Sequence, residues 1–143
     1  MVKRVFLVLI VLGLSLTGYA YWSAVRDPVQ REVQIAVADW PANAAPMRII
    51  LISDIHVAGP DMPPERLERI VARLNALEPD LVLIAGDFVS DKALSTHRYA
   101  AADAVAPLAG LEAEYGVFAV LGNQDHWRDG PAFRAALPDA GVV

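Results

Sequence analysis

A chain of 143 residues is long enough for one domain with a core of moderate size. Its net charge of -5, with no Lys/Arg cluster beyond Lys3-Arg4, argues against a nucleic-acid partner. The absence of cysteine excludes disulfides, a thiol nucleophile and zinc–thiolate sites.

Residues 1–4 form a short basic tail. Val5 to Trp22 follows without a single charge. About 18 to 20 such residues span a bilayer core as a helix. The positive flank predicts a cytoplasmic N-terminus. The remainder is then expected on the outer, periplasmic or extracellular, side of the cytoplasmic membrane as a single-pass protein. Tyr19, Tyr21 and Trp22 fit an interfacial aromatic belt. An uncleaved anchor is the leading reading of this segment. A cleaved signal peptide, with Gly18-Tyr19-Ala20 as its small-x-small site, and a buried core helix are the alternatives.

Residues 23–46 read as a connector and a first strand. Pro28 breaks regularity, and Val33, Ile35 and Val37 alternate through Glu32 to Ala38, as in an edge strand. A Pro- and Ala-rich loop, Asp39 to Pro46, leads into the folded part, residues 47–143. Met47 to Ile52, Leu81 to Ala85 and Val117 to Leu121 are apolar runs of the kind that form strands buried on both faces. Between them, Leu67, Ile70, Val71, Leu74 and Leu77 recur at helical spacing behind Pro63-Pro64. Tyr99 to Leu111 predicts an Ala-rich helix disturbed at Pro107, and Pro131 to Leu137 a short helix start. Strand and helix alternate, so the fold class is α/β with right-handed crossovers and a parallel sheet.

Each apolar strand ends in a polar run: Ser53-Asp54-Ile55-His56, Gly86-Asp87-Phe88-Val89-Ser90-Asp91 and Gly122-Asn123-Gln124-Asp125-His126. In a parallel sheet the carboxyl ends share one edge, where ligands bind. Asp54 and His56 are two apart, so on extended backbone they point the same way and can grip one cation. Asp87, after Gly86, is a carboxylate able to bridge two cations. Asn123 offers a neutral oxygen, and Asp125 and His126 lie within reach of the same cleft. Asp91 suits a supporting role. Taken singly, each run also reads as an ordinary polar turn. Taken together, they point to paired divalent ions and phosphate-ester hydrolysis. Asp, His and Asn suit Mn, Fe or Zn. No P-loop and no Gly-x-Ser-x-Gly elbow is present.

Asp54-x-His56, Gly86-Asp87-x-x-x-Asp91 and Gly122-Asn123-x-Asp125 resemble the first three motifs of the calcineurin-like metallophosphoesterases, and most closely their membrane-anchored bacterial branch. The resemblance implies a four-layer α/β/β/α sandwich around a dinuclear centre. By position it implies Asp54 and His56 on the first metal, Asp87 bridging, and Asn123 on the second metal and the phosphate. The implied substrate is a phosphomonoester or phosphodiester, with lipid- or sugar-nucleotide-derived esters among the candidates.

Two departures stand out. The family's general-acid histidine after the motif Asn is here Gln124, which cannot act as an acid. Asp125, its expected holder, is retained, and His126 is the remaining candidate acid. The resemblance also implies later histidines, whereas the chain has only His56, His97 and His126. His97 reads as a solvated neighbour of a helix start. The expectation is therefore a partial phosphoesterase domain with an incomplete centre. The alternative is a non-catalytic, membrane-tethered remnant that binds a metal or a partner chain.

Overall fold

The computed structural model describes residues 1–41 and 43–143. Helix α1 runs from Val2 to Val25, three residues beyond the predicted span at each end, and buries none of its side chains. At 1.5 Å per residue it is about 36 Å long, enough to cross a hydrocarbon core of about 30 Å. Among the described residues it is the one helix long and apolar enough to do so.

The connector corrects one expectation. Glu32 to Ala38 alternates as predicted but is not a strand, and Val33 and Ile35 are 77% and 80% exposed. Alternation specifies a strand only where a sheet offers both an edge and a face, and no described strand pairs with this segment. Part of the predicted loop, at residue 42, lies outside the described residues.

The domain is a parallel sheet in the order β1 (Ile49–Ile52), β2 (Leu81–Ile84), β3 (Val117–Ala119). Ile50 stands against Val82, and Val82 against Val117. Helix α2 (Pro64–Asn75) connects β1 to β2, with Pro64 at its first turn, where a missing N–H costs nothing. Helix α3 (Ala101–Val105) and a 3₁₀ turn (Ala106–Gly110) connect β2 to β3. The predicted single helix over Tyr99 to Leu111 is thus split, because Pro107 cannot donate to the α-helical ladder. Helix α4 (Asn123–Asp139) begins earlier than expected and bends at Asp129. There Asp129 Oδ1 accepts the Ala132 N–H at 3.1 Å and caps the second segment, which has Pro131 in its first turn. Val142 and Val143 lie parallel to β3, with Ala119 N–H donating to Val143 O at 2.7 Å.

Because the strands are ordered as they occur in the sequence, right-handed crossovers put both connections on one face of the sheet. That face is the core. Ile50, Val82, Ile84 and Val117 meet Leu67 and Val71 of α2, Val105, Leu108, and Phe133 and Leu137 of α4. Each large buried side chain contributes about 1.5–3 kcal/mol. The other face is open: Ile49, Leu51 and Phe118 are exposed. The strands were expected to be buried on both faces. Among the described residues they are buried on one, because no second layer covers the other.

Candidate metal centre

The three polar runs do meet at the carboxyl edge of the sheet. Beyond β1 and β2 the chain keeps pairing: Asp54 N–H donates to Gly86 O at 3.2 Å, His56 N–H to Asp87 O at 2.9 Å, and Val57 N–H to Phe88 O at 2.7 Å. This irregular ladder sends Ile55, Val57, Phe88 and Val89 into the core. Asp54, His56 and Asp87 are left at the surface above it. One ligand atom from each lies within 4.8 Å of the others. His56 Nε2 is 3.6 Å from Asp87 Oδ2 and 3.9 Å from Asp54 Oδ1.

The backbone there is unusual. Among the described residues, five non-glycine residues have positive φ, and three of them are Asp54 (53°), His56 (56°) and Asp87 (54°). The left-handed conformation costs about 1–3 kcal/mol at such residues and persists only where the surroundings impose it. That three of these five strained positions are the three candidate ligands is the kind of concentration found at functional sites. Two carboxylates and an imidazole fit one borderline or hard divalent cation. Ligands about 2.1 Å from a cation stand about 3–3.5 Å from one another, so the two separations from His56 need shorten by only a few tenths of an ångström. Asp54 is the most exposed of the three and Asp87 the least.

Asp87 is held from the side of the third run. Gly86 and Gly122 press their backbones together: a Cβ on Gly122 would fall 2.0 Å from Asp87 Oδ1, and one on Gly86 2.2 Å from the Gly122 nitrogen. Gly122 has φ of -83°, so close approach rather than left-handed backbone requires glycine there. Gln124 N–H donates to Asp87 Oδ1 at 3.0 Å.

Asp125 has a different place from the one expected. It is fully buried, at 0% exposure. Its carboxylate accepts N–H groups from Asp87 (2.8 Å), Phe88 (2.8 Å), Val89 (3.4 Å) and Gly122 (2.8 Å). Both oxygens are thus taken up by backbone, and the group fastens the second run to the start of α4 rather than facing a substrate. Phe88 stacks on Phe133 at 6.0 Å beneath it.

His126 stands apart from the three clustered ligands. It is exposed and lines a cavity with Val120, Leu121, Arg134 and Val143, outside the Asp54–His56–Asp87 cluster. On a helix one residue is a turn of about 100°, so a histidine next to Asp125 faces elsewhere. Gln124 is the residue that reaches the site. Its Nε2 lies 2.9 Å from His56 Nε2, and its Oε1 accepts the Asp91 N–H at 3.4 Å. Asn123 is the exposed first residue of α4, next in sequence to Gln124, and lies outside the cluster of three ligand atoms. Asp91 lies 2.8 Å from Arg128 Nη2 and 3.6 Å from Arg98 Nε. The exposed His97 packs edge-on to Tyr99 at 4.4 Å, apart from the cluster.

A parallel sheet flanked by helices, with this cluster at its carboxyl edge, defines an α/β protein with a candidate cation site. Residues 47–140 match the model of the calcineurin-like phosphoesterases. A transmembrane protein with metallophosphoesterase domain from Danio rerio is 35% identical over 121 residues, covering 82% of this chain and 26% of that protein. Its namesake from Bos taurus is 31% identical over 120 residues, covering 84% of this chain and 25% of that one. The UDP-2,3-diacylglucosamine pyrophosphatase LpxG of Chlamydia trachomatis is 32% identical over 80 residues, covering 56% of this chain and 23% of that protein. No solved structure matches significantly. The chain belongs to the calcineurin-like phosphoesterases. It spans about a quarter of the length of the curated relatives it matches. Those relatives come from animals as well as bacteria, so the resemblance is wider than a bacterial branch.

Proposed function

We propose that this chain carries the first part of a dinuclear centre that hydrolyses phosphoric esters. Three residues hold one divalent ion, Mn, Fe or Zn: Asp54, His56 and Asp87. Asp87 also faces the second ion, and Asn123 completes the chain's own contribution as a ligand and phosphate contact. A bound cation polarises a phosphoryl oxygen and acidifies water. The protein's part is to fix ligand geometry through the zipped backbone of the first two runs. Asp125 acts from beneath as a positioning residue. The observation that carries this reading is the convergence of the three ligands, all in left-handed backbone, at one sheet edge.

In this reading residues 1–4 are a cytoplasmic tail, 5–22 span the membrane, 23–46 connect, and 47–143 form phosphoesterase domain on the outer side. The substrate is a phosphate ester or anhydride. The name of LpxG supports esters borne by a lipid or sugar nucleotide. The test is release of aryl alcohol from an aryl phosphodiester by the Mn-loaded chain in detergent, with Asp87→Asn alongside. Turnover lost in Asp87→Asn supports the reading, and turnover indifferent to that change contradicts it.

Gln124 favours one second reading, a membrane-tethered module that binds a metal or a partner without turnover. Its amide cannot supply a proton to a leaving alkoxide. If the site is catalytic, Gln124→His is expected to raise kcat/KM for an alkyl phosphodiester about 100-fold or more. An aryl ester, whose leaving group needs no proton, gains far less. Equal gains on both esters would exclude Gln124 as the missing acid position.

A further inference from the structure

We propose that the arginine flank of α2 is the membrane-facing surface of the domain and that it binds anionic lipid headgroups. The proposal rests on the membrane reading of α1 and is independent of catalysis. It begins with the charge pattern of α2. At 3.6 residues per turn, Arg66, Arg69 and Arg73 fall within about 60° of one another, while Glu65 and Glu68 lie on the neighbouring flank. The apolar residues Leu67 and Val71 occupy the buried side.

The arginine flank is the side that grips the end of α1. Arg66 donates through Nη1 to Ala24 O at 2.9 Å and through Nη2 to Arg26 O at 2.6 Å. These carbonyls belong to the last turn of α1 and the residue after it, where acceptors lack intrahelical partners and the helix dipole is negative. Two turns along α2, Arg73 Nη1 pairs with Asp27 Oδ2 at 2.6 Å. Arg66 also donates to Asp61 O at 2.6 Å, and Asp61 pairs with Lys92 at 2.6 Å. The exit of α1 is therefore tied to the loop that follows His56 and to the loop that follows Asp91.

Placement follows from length. Helix α1 is a few ångströms longer than the hydrocarbon core, so its last turn stands among the headgroups. Tyr19, Tyr21 and Trp22 are there, with Tyr19 and Trp22 in contact at 5.9 Å and Arg26 over the Trp22 ring. Side chains bonded to that turn lie within about 8 Å of headgroup phosphates, one physiological Debye length. Arg69, exposed between the two gripping arginines, is presented to them. The chain as a whole is acidic, so this orientation turns its segregated positive flank toward an anionic surface and its negative flank away.

The lack of native cysteine makes the test direct. The full chain, carrying a bimane on Arg69→Cys or on Glu68→Cys, is reconstituted into vesicles with a headgroup-nitroxide lipid. The vesicles are phosphatidylcholine alone or mixed with phosphatidylglycerol. In the anionic vesicles quenching at position 69 is expected to exceed that at position 68 about three-fold or more, because nitroxide quenching is short-ranged and the arginine flank is the one that meets the headgroups. The excess shrinks in pure phosphatidylcholine, and Arg73→Glu reduces it without altering the far-ultraviolet spectrum. Equal quenching at the two positions, no quenching at either, or an excess indifferent to phosphatidylglycerol would overturn the proposal.

Discussion

Asp125→Ala is expected to lower the unfolding free energy by about 3–5 kcal/mol, the cost of breaking a buried charged network. The carboxylate is wholly buried and accepts four backbone N–H groups, from Asp87, Phe88, Val89 and Gly122. Alanine leaves all four without that acceptor, those of Phe88 and Val89 in buried surroundings, and each orphaned buried group costs about 1–3 kcal/mol before relaxation. Domains of this size have total stabilities of about 5–15 kcal/mol, so a sizeable unfolded fraction follows at 37 °C. Asp125→Asn should fall between, because its amide oxygen keeps some acceptors while its NH₂ faces the remaining donors. Urea unfolding followed by circular dichroism measures both. A loss below about 1 kcal/mol for the alanine variant would mean that these hydrogen bonds do not hold the second and third runs together.

Gly122→Ala should damage both the fold and the site. Its Cβ would fall 2.0 Å from Asp87 Oδ1, 2.4 Å from Asp87 N and 2.6 Å from Asp87 Cγ. Overpacking into a flexible side chain commonly costs about 1–3 kcal/mol. Here one neighbour is backbone and the others belong to a candidate ligand, so the upper end is expected. The strand ends must part, and the Asp87 carboxylate must turn. Losses of 10- to 100-fold in metal affinity are typical when a ligand's support is disturbed, so about that loss is expected for Mn binding. A variant with lowered melting temperature but wild-type affinity would show that Asp87 is positioned by something other than this contact.

The sequence made some of this architecture legible and concealed the rest for physical reasons. Buried parallel strands announce themselves as apolar runs, and so Ile49–Ile52, Leu81–Ile84 and Val117–Ala119 were each found within a predicted strand. The polar residues that end them could be assigned to one edge by topology alone. Asp54 and His56 do share a side, but just past the strand end, in a left-handed backbone that residue types do not signal. The role of Asp125 was hidden because its partners are main-chain N–H groups, which every non-proline residue possesses. The third run opens α4, and helical rotation carries the successive side chains of Asp125 and His126 apart, which the residue types alone do not signal. Gln124, noted only as a departure from the family pattern, is the side chain that meets His56. Glu32 to Ala38 had the right alternation for a strand, but alternation does not supply a partner.

Asp54, His56 and Asp87 are expected to bind a divalent cation together. Calorimetric titration of the full chain in detergent with Mn measures it most directly, beside His56→Ala and Asp87→Asn. Saturable binding is expected in the wild type, and either substitution should weaken it by about 100-fold or abolish it, since each removes one of three protein ligands. Binding of equal strength in all three proteins, or none in the wild type, would contradict it.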